Sequence, residues 1–149
     1  MKQTAQAPAG RADMVVMFEW NDKFSTGIVS LDAQHQTLFS IGAELYAAMS
    51  AGQSRERTYG ILTRLLDYTV THFAHEERLM RVYRYPDYAA HKAEHDALKR
   101  QVSQFYEESQ RGKVAISVRL LKFLDDWLKE HIGKSDQRYA PFLAAKAVA

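Results

Sequence analysis

Two histidines and two glutamates, His72, His75, Glu76 and Glu77, crowd into residues 72–80, HFAHEERLM, a run whose apolar spacing is that of a helix interior. Successive helix residues turn by about 100°, so His72 and Glu76 fall about 40° apart, on the line through Leu65 and Leu79. Those two point into the protein. His75 borders the apolar stripe, and Glu77 is expected on the far face, in water. A buried ionised carboxylate without a partner costs several kcal/mol even after relaxation. No Lys or Arg shares these stripe positions, so the compensating charge has to come from a bound cation.

The same spacing argument puts His35, His91, His95 and His131 on apolar stripes elsewhere, so five of the six histidines face a core. A lone histidine on an apolar face is ordinarily a buried, hydrogen-bonded side chain. Five of them, with a carboxylate among them, read as ligands. The chain has no cysteine, which excludes disulfides, thiolate zinc sites, iron–sulfur clusters and a cysteine nucleophile. Any metal is therefore held by nitrogen and oxygen. A second carboxylate is needed, and Asp136 is the best candidate. It follows His131 by five residues, which on an unbroken α-helix turns it about 140° away. Gly133 between them is expected to let the chain leave the helix and fold back.

Four runs of helical period carry these residues. The first holds Leu31, His35, Leu38, Gly42, Leu45 and Met49 on one face and ends at AGQS. The second holds Ile61, Leu65, Tyr68, His72, Glu76, Leu79 and Tyr83 and breaks at RYPD. Pro86 suits the opening of the third, whose face carries Tyr88, His91, His95, Leu98, Val102 and Phe105. The fourth aligns Leu120, Leu124, Trp127 and His131 and is expected to stop at Gly133. The tail beyond has room for a further short helix, broken near Pro141. Connections this short force neighbours to run antiparallel. The fold class is all-α: an up-down-up-down four-helix bundle, with FEWNDKFSTGIVS as an extended arm lying on it. Axial position agrees with the stripes. His35, the His72–Glu76 pair, His91 with His95, and His131 all fall at one end of such a bundle, within roughly 10 Å along its axis.

Composition limits the rest. The 149 residues are 46% hydrophobic and 26% charged, an ordinary globular balance for one domain. The formal charge of +2, with Lys and Arg interspersed among Asp and Glu, leaves no footprint for nucleic acid or an anionic membrane. No run approaches the roughly 20 apolar residues of a membrane span. Residues 1–17 read as a disordered leader in which MVVM is too short for a signal peptide's apolar core, and residues 18–149 as the folded domain. A cytoplasmic, monomeric protein is expected.

From FEWNDKFSTGIVSLDAQHQTLF through HFAHEERLM and HKAEH to WLKEHIGKSDQRY, the chain resembles the single-domain bacterial hemerythrins. The resemblance implies a non-haem di-iron centre cycling between Fe2+ and Fe3+. One iron would take His91, His95 and His131, the other His35 and His72, with Glu76, Asp136 and an oxo or hydroxo group bridging both. It implies further that the first iron is coordinatively full and the second five-coordinate. O2 would then bind end-on at the second as a hydroperoxide and leave again, the behaviour of an oxygen carrier rather than an enzyme. Reversibility needs a dry pocket, and Leu38, Phe73, Trp127, Leu128 and Ile132 match the family's pocket-lining positions. O2 is the implied ligand, and an oxygen-using client enzyme the implied partner.

Three other readings compete. HKAEH fits the His-x-x-Glu-His signature of a class of zinc proteases, with Glu94 as base. That leaves His35, His72 and His131 unexplained, and Glu94 otherwise faces solvent or orients a ligand histidine. A sensor module would ordinarily carry an attached partner-binding region, for which the leader is too short. An enzyme reducing peroxide or nitric oxide would use the same centre.

Overall fold

The computed structural model describes residues 17–112 and 116–149. A turn of 3-10 helix at Asp22–Phe24 precedes α1 (Val29–Ser50), α2 (Arg55–Val82), α3 (Tyr88–Gly112) and α4 (Val118–Glu130). α4 continues through one widened π turn, His131–Ser135, into α5 (Asp136–Ala144). No strand occurs among the described residues. Of the expected leader, residues 1–16 lie outside the described residues.

Local chemistry sets the helix ends. The Ser54 hydroxyl oxygen accepts the Arg57 N–H at 3.1 Å, and Ser117 accepts that of Leu120 at 3.1 Å. Each satisfies a first-turn donor that the helix itself leaves unpaired. α1 has no such cap. Instead Asp32 accepts the Thr26 N–H at 2.7 Å and the hydroxyls of Thr26 and Ser25 at 2.8 and 2.6 Å, folding the arm into the helix. α1 and α2 stop by one device, a left-handed residue whose N–H and the next return to carbonyls of the last turn. After α1 this is Gly52 (φ 68°), with Gly52 and Gln53 bonded to Met49 and Ala48. After α2 it is Arg84 (φ 58°), with Arg84 and Tyr85 bonded to Arg81 and Met80.

Ring contacts give the direction of each helix. Tyr59, early in α2, meets Tyr106, late in α3, edge-on at 5.8 Å between centroids. Phe105 meets Phe123, early in α4, at 5.6 Å. At the other end His35, early in α1, lies 4.6 Å from His72, late in α2. His95, early in α3, lies 4.9 Å from His131, just past α4. The helices run up, down, up, down, as the short connections predict.

Two apolar cores occupy this frame. The larger runs from Leu38 and Phe73 to Leu45, Leu62 and Leu121 along the bundle; the smaller gathers Ile28, Leu31, Met80, Tyr85, Tyr139 and Leu143. Full burial of such a side chain contributes roughly 1.5–3 kcal/mol. Along each helix the polar stripe residues fall between the two: His35 between Leu31 and Leu38, Glu76 between Phe73 and Met80, Asp136 between Ile132 and Tyr139. The arm lies on the bundle as expected. Phe18 is buried with its N–H on the buried Asp125 at 2.8 Å, and Phe24 stacks on Phe39 at 5.3 Å.

Two expectations about the chain after α4 are corrected. Gly133 does not end the helix, and Pro141 does not break it; Pro141 lies inside α5. The Asp136 N–H reaches back five residues to the His131 carbonyl. Such a turn takes up one residue more than an α turn, so Asp136 returns to the His131 face without leaving the helix. Gly133 serves a close approach instead, since a β-carbon there would sit 3.3 Å from a ring carbon of Phe24.

Candidate metal centre

Seven side chains converge between the two cores. His35, His72, Glu76, His91, His95, His131 and Asp136 come from α1, α2, α3, the π turn and the start of α5, and none is more than 4% exposed. Their donor atoms form two groups that share the carboxylates. Glu76, His91, His95, His131 and Asp136 form one, and His35, His72, Glu76 and Asp136 the other. Within each group the atoms lie within 4.8 Å of one another.

The carboxylates divide their oxygens between the groups. Glu76 Oε2 is 3.0 Å from Nε2 of both His35 and His72, while its Oε1 is 3.3 Å from His95 Nε2 and 3.5 Å from His91 Nε2. Asp136 Oδ2 is 3.0 Å from His35 Nε2, and its Oδ1 is 3.1 Å from Nε2 of both His91 and His131. Each carboxylate thus turns one oxygen to each group. Buried polar atoms are ordinarily paired, yet His72 Nε2, His91 Nε2, Glu76 Oε1 and both Asp136 oxygens are buried with no hydrogen-bond partner. Nitrogen and oxygen atoms aimed inward from every side, several of them without hydrogen-bond partners, fit a pair of metal ions held without sulfur.

Electrostatics of the protein alone make the same point. Burial works against charge on His35 and His91, but Asp136 and Glu76 hold both up at about 9. His131 is likewise opposed by burial and pushed up to about 10 by Asp136, Glu94 and Glu76. His72 goes the other way, burial outweighing its Glu76 neighbour. Burial disfavours the Glu76 anion, and the surrounding histidines nevertheless hold it well below the carboxylate range. Asp136 stands low as well, with His131 and His35 overcoming burial and the nearby Glu76 charge. The protein balances its buried carboxylates with protons on imidazole; metal ions would displace those protons.

An outer ring of partners orients the imidazoles. His95 Nδ1–H donates to Glu77 Oε2 at 2.8 Å, and His131 Nδ1–H to Glu94 Oε1 at 2.9 Å. Ser135 Oγ–H donates to the same Glu94 oxygen at 2.6 Å, and the bond from His131 holds the Glu94 carboxyl at about 2. His72 Nδ1–H donates to Gln34 Oε1 at 2.6 Å. Glu77 is thus buried, not in water as its angle on α2 alone predicts; α3 packs across that side and brings His95 to it. Of the two readings of Glu94, orienting a histidine is the one observed, which leaves no free base for the zinc-protease reading. His75 is half-buried beside the stripe.

Tyr139, which sequence reasoning missed, is fully buried on α5 and donates its hydroxyl proton to Glu76 Oε2. Burial and the two carboxylates push its phenol well up. Its only signal in the sequence is its position one turn after Asp136. Gln34 and Glu77 had an equally faint signal, each adjoining a stripe residue.

The five expected pocket residues are all in the larger core, four buried and Trp127 partly so. Phe73 stacks flat on His95, with centroids 3.6 Å apart and planes 3° from parallel, and lies 6.1 Å from His72. Trp127 stacks on His131 at 4.3 Å. Both rings therefore cover the three-histidine group. Leu128 also lines an apolar groove of about 400 Å³ between α2, α3 and α4. No helix among the described residues is long and apolar enough to cross a membrane.

Comparison with known proteins agrees with this geometry. The profile of the hemerythrin HHE cation binding domain matches residues 26–143. The chain belongs to the hemerythrin family. It is 36% identical over 123 residues to a bacteriohemerythrin of Methylococcus capsulatus, covering 83% of this chain and 93% of that protein. A bacteriohemerythrin of Stenotrophomonas maltophilia is 34% identical over 126 residues, covering 85% and 81%. A solved wild-type hemerythrin superposes with a TM-score of 0.79 at 35% identity, covering 85% of this chain and 97% of that one.

Proposed function

We propose that the chain binds two iron ions and carries O2 reversibly. The observation that carries this reading is the division of oxygens: each of two buried carboxylates turns one oxygen to two of His91, His95 and His131, and the other to His35, joined at Glu76 by His72. In this assignment His91, His95 and His131 hold one iron, His35 and His72 the other, and Glu76 and Asp136 bridge. The position held by His35 and His72 alone would have the free coordination place, where O2 would sit end-on as a hydroperoxide. Two irons held this way would supply the two electrons that O2 binding takes, one from each, and recover them on release.

The chain's own residues do the rest. Glu94, Glu77 and Gln34 fix three imidazoles with Nε2 facing inward, since Nδ1 must carry the proton that each bond donates. Leu38, Phe73, Trp127, Leu128 and Ile132 keep water from the centre, which protects a reduced metal from irreversible oxidation. Replacing Leu38 or Trp127 with Ala is expected to leave iron bound and to speed autoxidation. An unchanged autoxidation rate in both variants would count against the pocket assignment.

Anaerobic reduction followed by stepwise O2 addition tests the function. A charge-transfer band that grows with O2 and disappears on its removal, without turnover, supports a carrier. Rapid decay to the ferric form points to redox catalysis, and no optical response to O2 contradicts the proposal.

A further inference from the structure

The outer ring is not the same on the two sides of the centre. On the three-histidine side, two of three imidazoles donate Nδ1–H to carboxylates: His95 to Glu77 and His131 to Glu94. On the two-histidine side, His72 donates to Gln34, a neutral amide, and His35 Nδ1 is buried with no partner. The bridging carboxylate is tuned in the same sense. Tyr139 donates to Glu76 Oε2, the oxygen facing His35 and His72, and leaves Oε1, on the other side, untouched.

Each difference acts in one direction. A carboxylate accepting from Nδ1–H raises the basicity of the imidazole's other nitrogen and fixes its orientation. A neutral amide does so less, and an unpartnered Nδ1 does not do so at all. A hydrogen bond donated to a ligand oxygen draws electron density away from the metal that oxygen serves. Building on the two-iron reading above, we infer that the outer ring makes the two metal positions unequal in affinity: the three-histidine position fills first, and the two-histidine position fills last and empties first. The number of histidines sets the order, and Glu77, Glu94, Gln34 and Tyr139 widen the gap. The chain thus has a defined state with one metal, seated where both bridging carboxylates are already engaged.

Competition for iron tests this. The iron-loaded full chain is equilibrated anaerobically with increasing concentrations of a ferrous chelator, and bound iron per chain is measured by metal analysis. The expected curve has a plateau at one iron per chain. Glu77→Gln combined with Glu94→Gln shortens the plateau by weakening the tighter step about 10- to 100-fold, the usual effect of losing such a partner. Gln34→Glu shortens it from the other side, by tightening the weaker step, and serves as the test if the double variant fails to fold. Loss of both irons in a single step would overturn the inference. So would a plateau that neither change moves. A chain that takes up no iron at all would overturn the two-iron reading itself, a result distinguishable from both.

Discussion

The two ends of the bundle use the same four helices for opposite purposes. Around Leu45, Leu62 and Leu121 the interior is hydrocarbon, and each such fully buried side chain contributes roughly 1.5–3 kcal/mol. Around Glu76 and Asp136 it is imidazole and carboxylate, groups whose burial costs free energy unless their charges are matched. The difference shows how a binding site is affordable here. The apolar end and the small core under α5 hold the helices in register, so the layer between them can keep lone pairs unsatisfied until metal arrives.

The comparison breaks most severely at Asp136. Because its two oxygens serve both groups, Asp136→Ala is expected to abolish iron binding at both positions while circular dichroism retains the helices; iron analysis of the purified variant checks it. The apolar end predicts the converse. Leu62→Ala, at a fully buried position, should cost about 2–5 kcal/mol in denaturant unfolding and leave iron per folded chain unchanged.

Acidity sharpens the same contrast. In the metal-free chain His35 and His91 stand at about 9 and His131 at about 10, above the ordinary 6.5. A raised folded value means stabilisation that is complete below about 6.5 and lost as pH rises through about 9 to 10. Metal-free protein should therefore melt at lower temperature as pH climbs through that window, while iron-loaded protein, with its imidazoles already deprotonated, should not. The smallest expected effect is at the end of α2. Arg84 occupies the left-handed position that Gly52 fills after α1, a conformation costing a side-chain-bearing residue roughly 1–2 kcal/mol. Arg84→Gly should add about 1 kcal/mol to stability after glycine's own entropy cost is deducted, with iron content unaffected.

The bundle and the convergence of the seven residues were legible because helical period fixes both direction and height. His35 and His131 are 96 positions apart in the chain, yet the opening turns of α1 and the turn that follows α4 lie at the same end of the bundle. Chemistry alone points to Asp136, but not to its route: a single π turn leaves no mark in composition, so a five-residue spacing reads as a loop. Glu77 was misplaced because an angle around one helix axis does not say where the next helix packs. Phe73 adjoins His72 and Trp127 precedes His131 by one turn, but only the packing assigns both rings to the three-histidine side. Tyr139 carries no signal of its own because it sits beyond the last clear helical period, on a segment that nonetheless closes the end of the site.

Anomalous X-ray scattering from crystals of the iron-loaded chain, recorded at the iron absorption edge, tests the central claim most directly. Two peaks are expected between Glu76 and Asp136, one among His91, His95 and His131 and one beside His35 and His72. A folded chain whose map shows no iron there, or iron bound only at other residues, would contradict the account.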